Sequence, residues 1–167
     1  RYSRLMRVYI PATLAMLQRL VADESLQPLS GTAFAVTPTL RESYAEGDDE
    51  ELAEVALGEA ALASLRLLAA ESVSDLPLRR AVVVADAPDH LVTPRPDLDD
   101  AVVRLDGRVG LDQVVAAYVD NADAEPAVQA AVDVVDQADL GDEDAEFTVG
   151  DAQDHSLAWY ATQELPF

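Results

Sequence analysis

The chain has 167 residues, half of them apolar, and a net charge of −21, a composition that fits one domain with a single hydrophobic core. Because it has no cysteine and no lysine, it excludes disulfides, thiolate chemistry, cysteine-bound zinc and lysine Schiff bases. No run of 18 apolar residues and no signal-peptide pattern is found, so we expect a cytoplasmic protein without a membrane-spanning segment. Met6 begins a strand pattern. We therefore expect residues 6–167 to form the domain and residues 1–5 to be upstream or added residues.

The first third of the chain predicts short strands and helices in alternation. Residues 6–10 alternate between apolar and polar or aromatic side chains, which predicts a half-buried strand that ends at Pro11. Thr13 is then expected to cap an amphipathic helix. A second short strand is predicted over 33–36, followed by a short helix that starts with a capping box at Thr39.

The middle third contains the pattern expected at the centre of a sheet. A long helix is predicted over 49–71, with acidic residues at its N-terminus. The apolar run 81–85 predicts a strand buried on both faces, which we place at the sheet centre. The proline-rich stretch 88–96 predicts a loop. Strands are then predicted over 101–105 and 114–119, joined as a hairpin by an Asp-Gly turn.

The last third predicts one helix and one strand. The helix starts at residues 123–125 and stops at Gly141, and an acidic loop then extends to about residue 155. A final strand is predicted over 157–160. Strands that alternate with amphipathic helices indicate an α/β (α+β) fold: a mixed β-sheet of about six short strands with three to four helices packed on it.

Four segments carry a resemblance to a known family. They are MRVYIPAT at 6–13, SGTAFAVT at 30–37, RPDLDDAV at 95–102 and the C-terminal stretch DHSLAWYATQELP at 154–166. The chain resembles a family of small actinobacterial proteins of unknown function, along nearly its whole length from Met6. The resemblance implies a bacterial cytoplasmic setting and transfers no catalytic residue.

The charge is distributed unevenly along the chain. Residues 109–167 contain fourteen acidic residues and no arginine, so this third should repel nucleic acid and attract a basic protein. We therefore predict a non-enzymatic interaction or regulatory module with a basic protein partner, no direct nucleic-acid binding and no membrane contact. The residues predicted to contact the partner are Asp142, Glu143, Asp144, Glu146, Asp151, Asp154, Trp159 and Tyr160.

Simpler interpretations of the same residues stay open. The acidic third can serve solubility alone, and Trp159 and Tyr160 can seal the last strand against the core. An exposed apolar surface at the C-terminus, including Pro166 and Phe167, would instead favour a homodimer. A decoy that imitates nucleic acid shares the same charge.

The alternative prediction is an enzyme. Asp97, Asp99 and Asp100 precede a predicted strand, with His90 across a proline-rich loop, and such carboxylates can hold a divalent metal or do acid–base chemistry in a metal-dependent hydrolase. The competing interpretation is that Asp99 or Asp100 caps a turn and that Arg95 pairs with one of them on the surface. The adjacent residues Asp154-His155-Ser156 do not predict a triad, because neighbours in an extended chain point in different directions. No cofactor is predicted, since nucleotide-binding glycine motifs are absent.

Overall fold

The helices and strands follow one another along the chain much as the sequence predicts. This computed structural model describes residues 4–44, 46–71 and 75–165. The strands are β1 (Leu5–Ala12), β2 (Ser25–Leu26), β3 (Thr32–Phe34), β4 (Ala81–Pro88), β5 (Val92–Pro94), β6 (Val102–Leu105), β7 (Val109–Gly110), β8 (Val114–Val119) and β9 (Ala158–Ala161). The helices are α1 (Leu14–Asp23), α2 (Pro38–Ser43), α3 (Asp49–Ala70), α4 (Glu125–Asp139) and α5 (Glu143–Gln153). The predicted α+β class is confirmed.

Seven of the strands form one sheet in the order β5-β6-β3-β1-β4-β8-β9, and β2 pairs with β7 beside it. Every pairing among the described strands is antiparallel, so the prediction of a mixed sheet was wrong. Alternation of strands and helices along a chain does not by itself fix strand direction. Here β3 and β4, which α2 and α3 join along the chain, run in the same direction but lie on either side of the antiparallel strand β1.

The sheet is built around the pair β1 and β4, which align over eight residues from Leu5 opposite Pro88 to Ala12 opposite Ala81. The predicted central strand β4 is therefore interior, beside the middle strand β1. The sequence predicted that Pro11 ends this strand, but β1 continues through Pro11 to Ala12. Proline lacks only the amide donor, so a strand tolerates it where no ladder hydrogen bond is required.

Helices cover both faces of this sheet. Val8 lies in one core cluster with Leu17 and Leu20 of α1, whereas its neighbour Tyr9 lies in another with Leu52 and other residues of α3. This separation follows from the strand period of two, which turns neighbouring side chains to opposite faces. The C-terminal half of α3 packs with α4 and α5 in a third apolar cluster.

The helix starts confirm one predicted cap and correct another. Thr13 accepts a hydrogen bond from the backbone N–H of Met16 at 3.3 Å, as predicted. The predicted cap Thr39 instead lies inside α2, and Thr37 caps this helix by accepting from the N–H of Leu40 at 3.0 Å. Proline is preorganised for the first helical position, so Pro38 makes the residue before it the cap.

The predicted hairpin of residues 101–105 and 114–119 was wrong. Both segments are strands, but β6 lies between β5 and β3, whereas β8 lies between β4 and β9. The intervening strand β7 pairs with β2 instead. The predicted loop over 88–96 likewise contains the edge strand β5. Short strands such as these carry too few residues for their alternation to be recognised.

Candidate functional site

The predicted acidic loop after Gly141 is a helix, α5. Asp142 is its N-cap and accepts a hydrogen bond from the N–H of Ala145 at 2.9 Å, while Glu143, Asp144 and Glu146 lie in its first turn. Negative charge is favourable there because the helix dipole is positive at its N-terminus. The loop prediction was therefore wrong: the acidic residues that indicated solvent exposure also stabilise the start of a helix.

Helix α5 has two contrasting faces. Its buried face consists of the small residues Ala145, Val149 and Ala152, which pack against the core. The opposite side forms a shallow groove, and we call the six residues that line it the α5 face: Glu143, Glu146, Phe147, Gly150, Asp151 and Asp154. The side chain of Phe147 is 77% exposed. An apolar anchor is therefore surrounded by four carboxylates on one side of a short helix.

The carboxylates of the α5 face have no cationic partner within the part of the chain that the structure describes. The nearby arginines are used elsewhere: Arg66 pairs with Asp139, and Arg79 pairs with Glu125. Residues 109–167 supply no arginine of their own. The negative charge of this surface is consequently left uncompensated, and it extends into solvent where it can act on a charged partner.

A buried ion pair holds the C-terminal end of α5 in place. Arg80 and Asp120 are 1% and 0% exposed, and the guanidinium donates to both carboxylate oxygens at 2.9 and 2.7 Å. The same arginine donates to the side-chain oxygen of Gln153 and to the backbone carbonyl of His155, both at 2.9 Å. Gln153 in turn donates to the carbonyl of Gly58 in α3 at 3.1 Å. The position of α5 thus depends on a network rooted in β4 and β8.

Arg80, Asp120 and Phe147 were not predicted from the sequence. Arg80 precedes a strand and Asp120 follows another, so each resembles an ordinary charged residue at a strand end. Only the pairing of Ala81 with Val119 brings the two together. Phe147 could have been predicted, because a helical period places it opposite the apolar residues Ala145, Val149 and Ala152. An apolar residue on the polar face of an amphipathic helix is exposed.

The two aromatic residues predicted to contact a partner lie in different environments. Both lie in β9, an edge strand of the sheet. Trp159 is 57% exposed, whereas Tyr160 is partly buried and packs against the sheet core. Leu165 is buried, and Pro166 and Phe167 lie outside the described residues. Trp159 is therefore available to a partner, while Tyr160 has the sealing role that was the competing interpretation.

The residues of the alternative enzyme prediction are engaged locally. Arg95 binds Asp97 through two hydrogen bonds of 2.9 and 2.8 Å, which hold the pKa of that carboxyl below its ordinary value. Asp99 accepts from the N–H of Asp100 at 2.7 Å. The carboxylate of Asp100 accepts from the hydroxyl of Ser43 at 2.6 Å. Arg95 thus pairs with a carboxylate at the surface, as the competing interpretation expects, whereas Asp99 and Asp100 are bound by a neighbouring backbone N–H and by Ser43.

His90 lies in a 3₁₀ turn directly after β4. Within residues 4–44, 46–71 and 75–165, no group of three or more histidine, aspartate or glutamate side chains is placed to hold a metal ion. The structure therefore does not assemble His90 with Asp97, Asp99 and Asp100 into such a group. In Asp154-His155-Ser156, Asp154 ends α5 and the carbonyl of His155 is bound by Arg80.

One acidic residue outside the predicted set has an unusual environment. Glu59 lies in α3 and is partly buried. Burial raises the pKa of its carboxyl, the charge of Asp99 raises it further, and Arg66 opposes the shift. The ionised carboxylate is thus less favourable in the folded protein than in the unfolded chain.

Replacing Glu59 with glutamine is expected to raise the melting temperature at neutral pH. A raised folded-state pKa gives stability that is present at low pH and is lost as the pH rises through that value. Glutamine has no charge to bury, so its advantage should vanish at about pH 3, where a glutamate with the ordinary pKa of about 4.3 is almost fully protonated in the unfolded chain as well. The test is thermal unfolding at pH 7 and at about pH 3 of three proteins: wild type, Glu59→Gln and the exposed control Glu54→Gln. A Glu59→Gln protein that melts at or below the wild-type temperature at pH 7 would contradict it.

Fold and surface together define this chain as an acidic α+β domain whose α5 presents an uncompensated carboxylate ring around an exposed phenylalanine. Residues 6–167 match a family of unknown function (DUF6912), and the chain belongs to this family. The resemblance noted in the sequence is thereby confirmed at the level of a family of unknown function. No curated protein and no solved structure matches the chain. Among the described residues, no helix has the length and apolar character needed to cross a bilayer.

Proposed function

We propose that this protein is a non-enzymatic interaction module of the actinobacterial cytoplasm that binds a basic protein partner through the α5 face. The proposal rests on one observation. The side chain of Phe147 is 77% exposed, and it is surrounded by four carboxylates that have no cationic partner in the described part of the chain. An exposed aromatic residue ringed by polar groups has the arrangement of a binding hot spot. The charges around it select a partner of opposite sign and accelerate its approach.

The charge distribution favours a basic protein over nucleic acid and over a second copy of this chain. A nucleic-acid backbone would meet fourteen acidic residues and no arginine in residues 109–167, which would oppose binding. A second copy of this chain would bring two such regions together and suffer the same repulsion. A protein with arginine or lysine side chains around an apolar residue complements both the charge and the exposed Phe147.

The position of α5 supports a docking role. Its buried face packs against α4 in a shared apolar cluster, and its C-terminal end is held by Gln153 through hydrogen bonds with Arg80 and Gly58. A surface that is already ordered loses little conformational entropy when a partner binds. The α5 face is therefore presented on a rigid support.

The test is a pull-down with the tagged protein from an extract of its own host, at about 0.1 M and about 0.5 M salt. Bound proteins are identified by mass spectrometry. We expect a specific basic partner at the lower salt concentration that is lost at the higher one, because screening weakens contacts between exposed charges. The absence of any specific partner at both concentrations, or a complex indifferent to salt, would overturn the proposal.

A further inference from the structure

The α5 face has a notch beside its anchor. Gly150 lies one turn after Phe147, and a Cβ atom built on it would meet nothing within 4 Å. Its backbone is not in the left-handed region, so neither crowding nor conformation within the chain requires glycine here. Glycine inside a helix costs roughly 0.5–1 kcal/mol relative to alanine. The notch is thus a feature that the fold itself does not need.

The residues of the α5 face run in a straight stripe along the helix. Glu143, Phe147, Gly150 and Asp154 follow one another at intervals of four, three and four residues, which keeps them on one side of a helix with 3.6 residues per turn. Charges lie on both sides of this stripe, because Glu146 precedes Phe147 and Asp151 follows Gly150. The anchor and the notch are therefore central, and the carboxylates surround them.

This geometry fits a helix better than an extended peptide. The backbone groups of α5 are hydrogen-bonded within the helix and offer no edge to a strand. Two helices pack with their axes about 8–10 Å apart, and residues at the crossing must leave room for the approach. Gly150 leaves that room, and the 11 residues of α5 span about 16 Å, or three turns of a partner helix.

We infer that the segment that docks on the α5 face is a basic amphipathic helix, and this inference rests on the proposed function. The helix crosses α5 at Gly150 and places an aliphatic side chain against Phe147. Arginines on either side of that residue reach the flanking carboxylates, Glu146 on one side and Asp151 on the other. Arginine suits this position because its planar guanidinium binds a carboxylate through two hydrogen bonds.

Two synthetic peptides of about 18 residues test the inference, each with alanines, one central leucine and four arginines on the same helical face. The second peptide has a proline next to the leucine, which breaks the helix and keeps the charge. Calorimetric titration at about 0.1 M salt is expected to show binding of the helical peptide and at least about tenfold weaker binding of the proline peptide.

Glycine variants of the protein provide the matched control. Gly150→Ala and Gly58→Ala should both raise the melting temperature, since both glycines lie inside helices with open space for a Cβ. Gly58→Ala keeps the backbone carbonyl that Gln153 binds and lies outside the α5 face, so only the change at Gly150 should weaken binding of the helical peptide. Gly150→Gln, which fills the notch further, should weaken it by about tenfold. A loss of binding in a more stable protein cannot come from misfolding.

The outcomes separate the two proposals. Equal binding of both peptides, or unchanged binding by the Gly150 variants, would overturn the helical occupant and leave a salt-sensitive docking role intact. Failure of both peptides to bind at about 0.1 M salt would overturn the docking role of the α5 face as well.

Discussion

Replacing Arg80 with methionine is expected to lower the free energy of unfolding by about 3–5 kcal/mol. The substitution leaves the carboxylate of Asp120, which is 0% exposed, without its guanidinium partner. It also leaves the side-chain oxygen of Gln153 and the carbonyl of His155 without their donor. A buried charge without a partner is costly because no water replaces the lost contacts. Urea unfolding of wild type and Arg80→Met, followed by circular dichroism, measures the difference.

The double variant Arg80→Met with Asp120→Leu should recover much of this loss. It removes both charges, so the cost of burying an unpaired carboxylate disappears, and well-packed apolar replacements of buried ion pairs are often neutral or better. Arg66→Met is the matched control, because Arg66 also binds an aspartate through two hydrogen bonds but the pair is 45% and 41% exposed. It should cost at most about 1 kcal/mol. An Arg80→Met protein as stable as Arg66→Met would contradict the assigned role of the buried pair.

The same network connects stability with the proposed docking surface. Arg80 binds Gln153 in the last turn of α5 and the carbonyl of His155 just after it. Loss of these contacts should loosen the C-terminal end of α5 before the sheet unfolds. Amide hydrogen exchange would detect this as faster exchange at Gln153 and its neighbours, since exchange reports local opening. The backbone that carries Asp154 of the α5 face would then be less ordered.

Local patterns in the sequence were enough to predict those elements whose cause is itself local. The alternation over residues 6–10 and the apolar run over 81–85 both predicted strands, because side-chain direction alternates within a strand whatever lies beside it. The Thr13 cap and the acidic start of α3 depend on groups within one helical turn. Each of these features could be read from a few neighbouring residues.

Features that depend on distant contacts could not be predicted in the same way. Strand order is decided by which apolar faces pack together, and the adjacency of β1 and β4 joins residues that are far apart in the chain, from Leu5 opposite Pro88 to Ala12 opposite Ala81. The pair of Arg80 and Asp120 exists only after β4 and β8 are paired in register. The sequence of either segment alone does not indicate such a pairing.

The candidate site was predicted in composition but not in shape. Glu143, Glu146, Asp151 and Asp154 were all expected to contact a partner, yet as part of a loop. The high density of acids concealed a helix whose buried face consists of small residues with little hydrophobicity. Once the segment is helical, its period places these four carboxylates around Phe147. The helix thereby defines which of the acidic residues share one surface.

Removal of the four carboxylates of the α5 face is expected to abolish the salt-sensitive interaction. The variant carries Glu143→Gln, Glu146→Gln, Asp151→Asn and Asp154→Asn. It keeps side-chain size and leaves Phe147 in place, but removes the charges that complement a basic partner. We expect affinity for the helical arginine peptide to fall by at least about a hundredfold at about 0.1 M salt, since four solvent-exposed ion pairs are lost and each contributes up to about 1 kcal/mol.

The control for this variant removes the same amount of charge elsewhere. Asp23→Asn, Glu42→Gln, Asp89→Asn and Asp106→Asn are exposed positions outside α5 and outside the helix α3 that contacts it, and they change the net charge equally. If binding depends on the local arrangement of charges, this control should lose less than about threefold in affinity, because distant exposed charges are screened beyond about 10 Å at 0.1 M salt. Equal losses in the two variants would mean that the attraction comes from the net charge of the whole protein. The carboxylates around Phe147 would then have no special part in recognition.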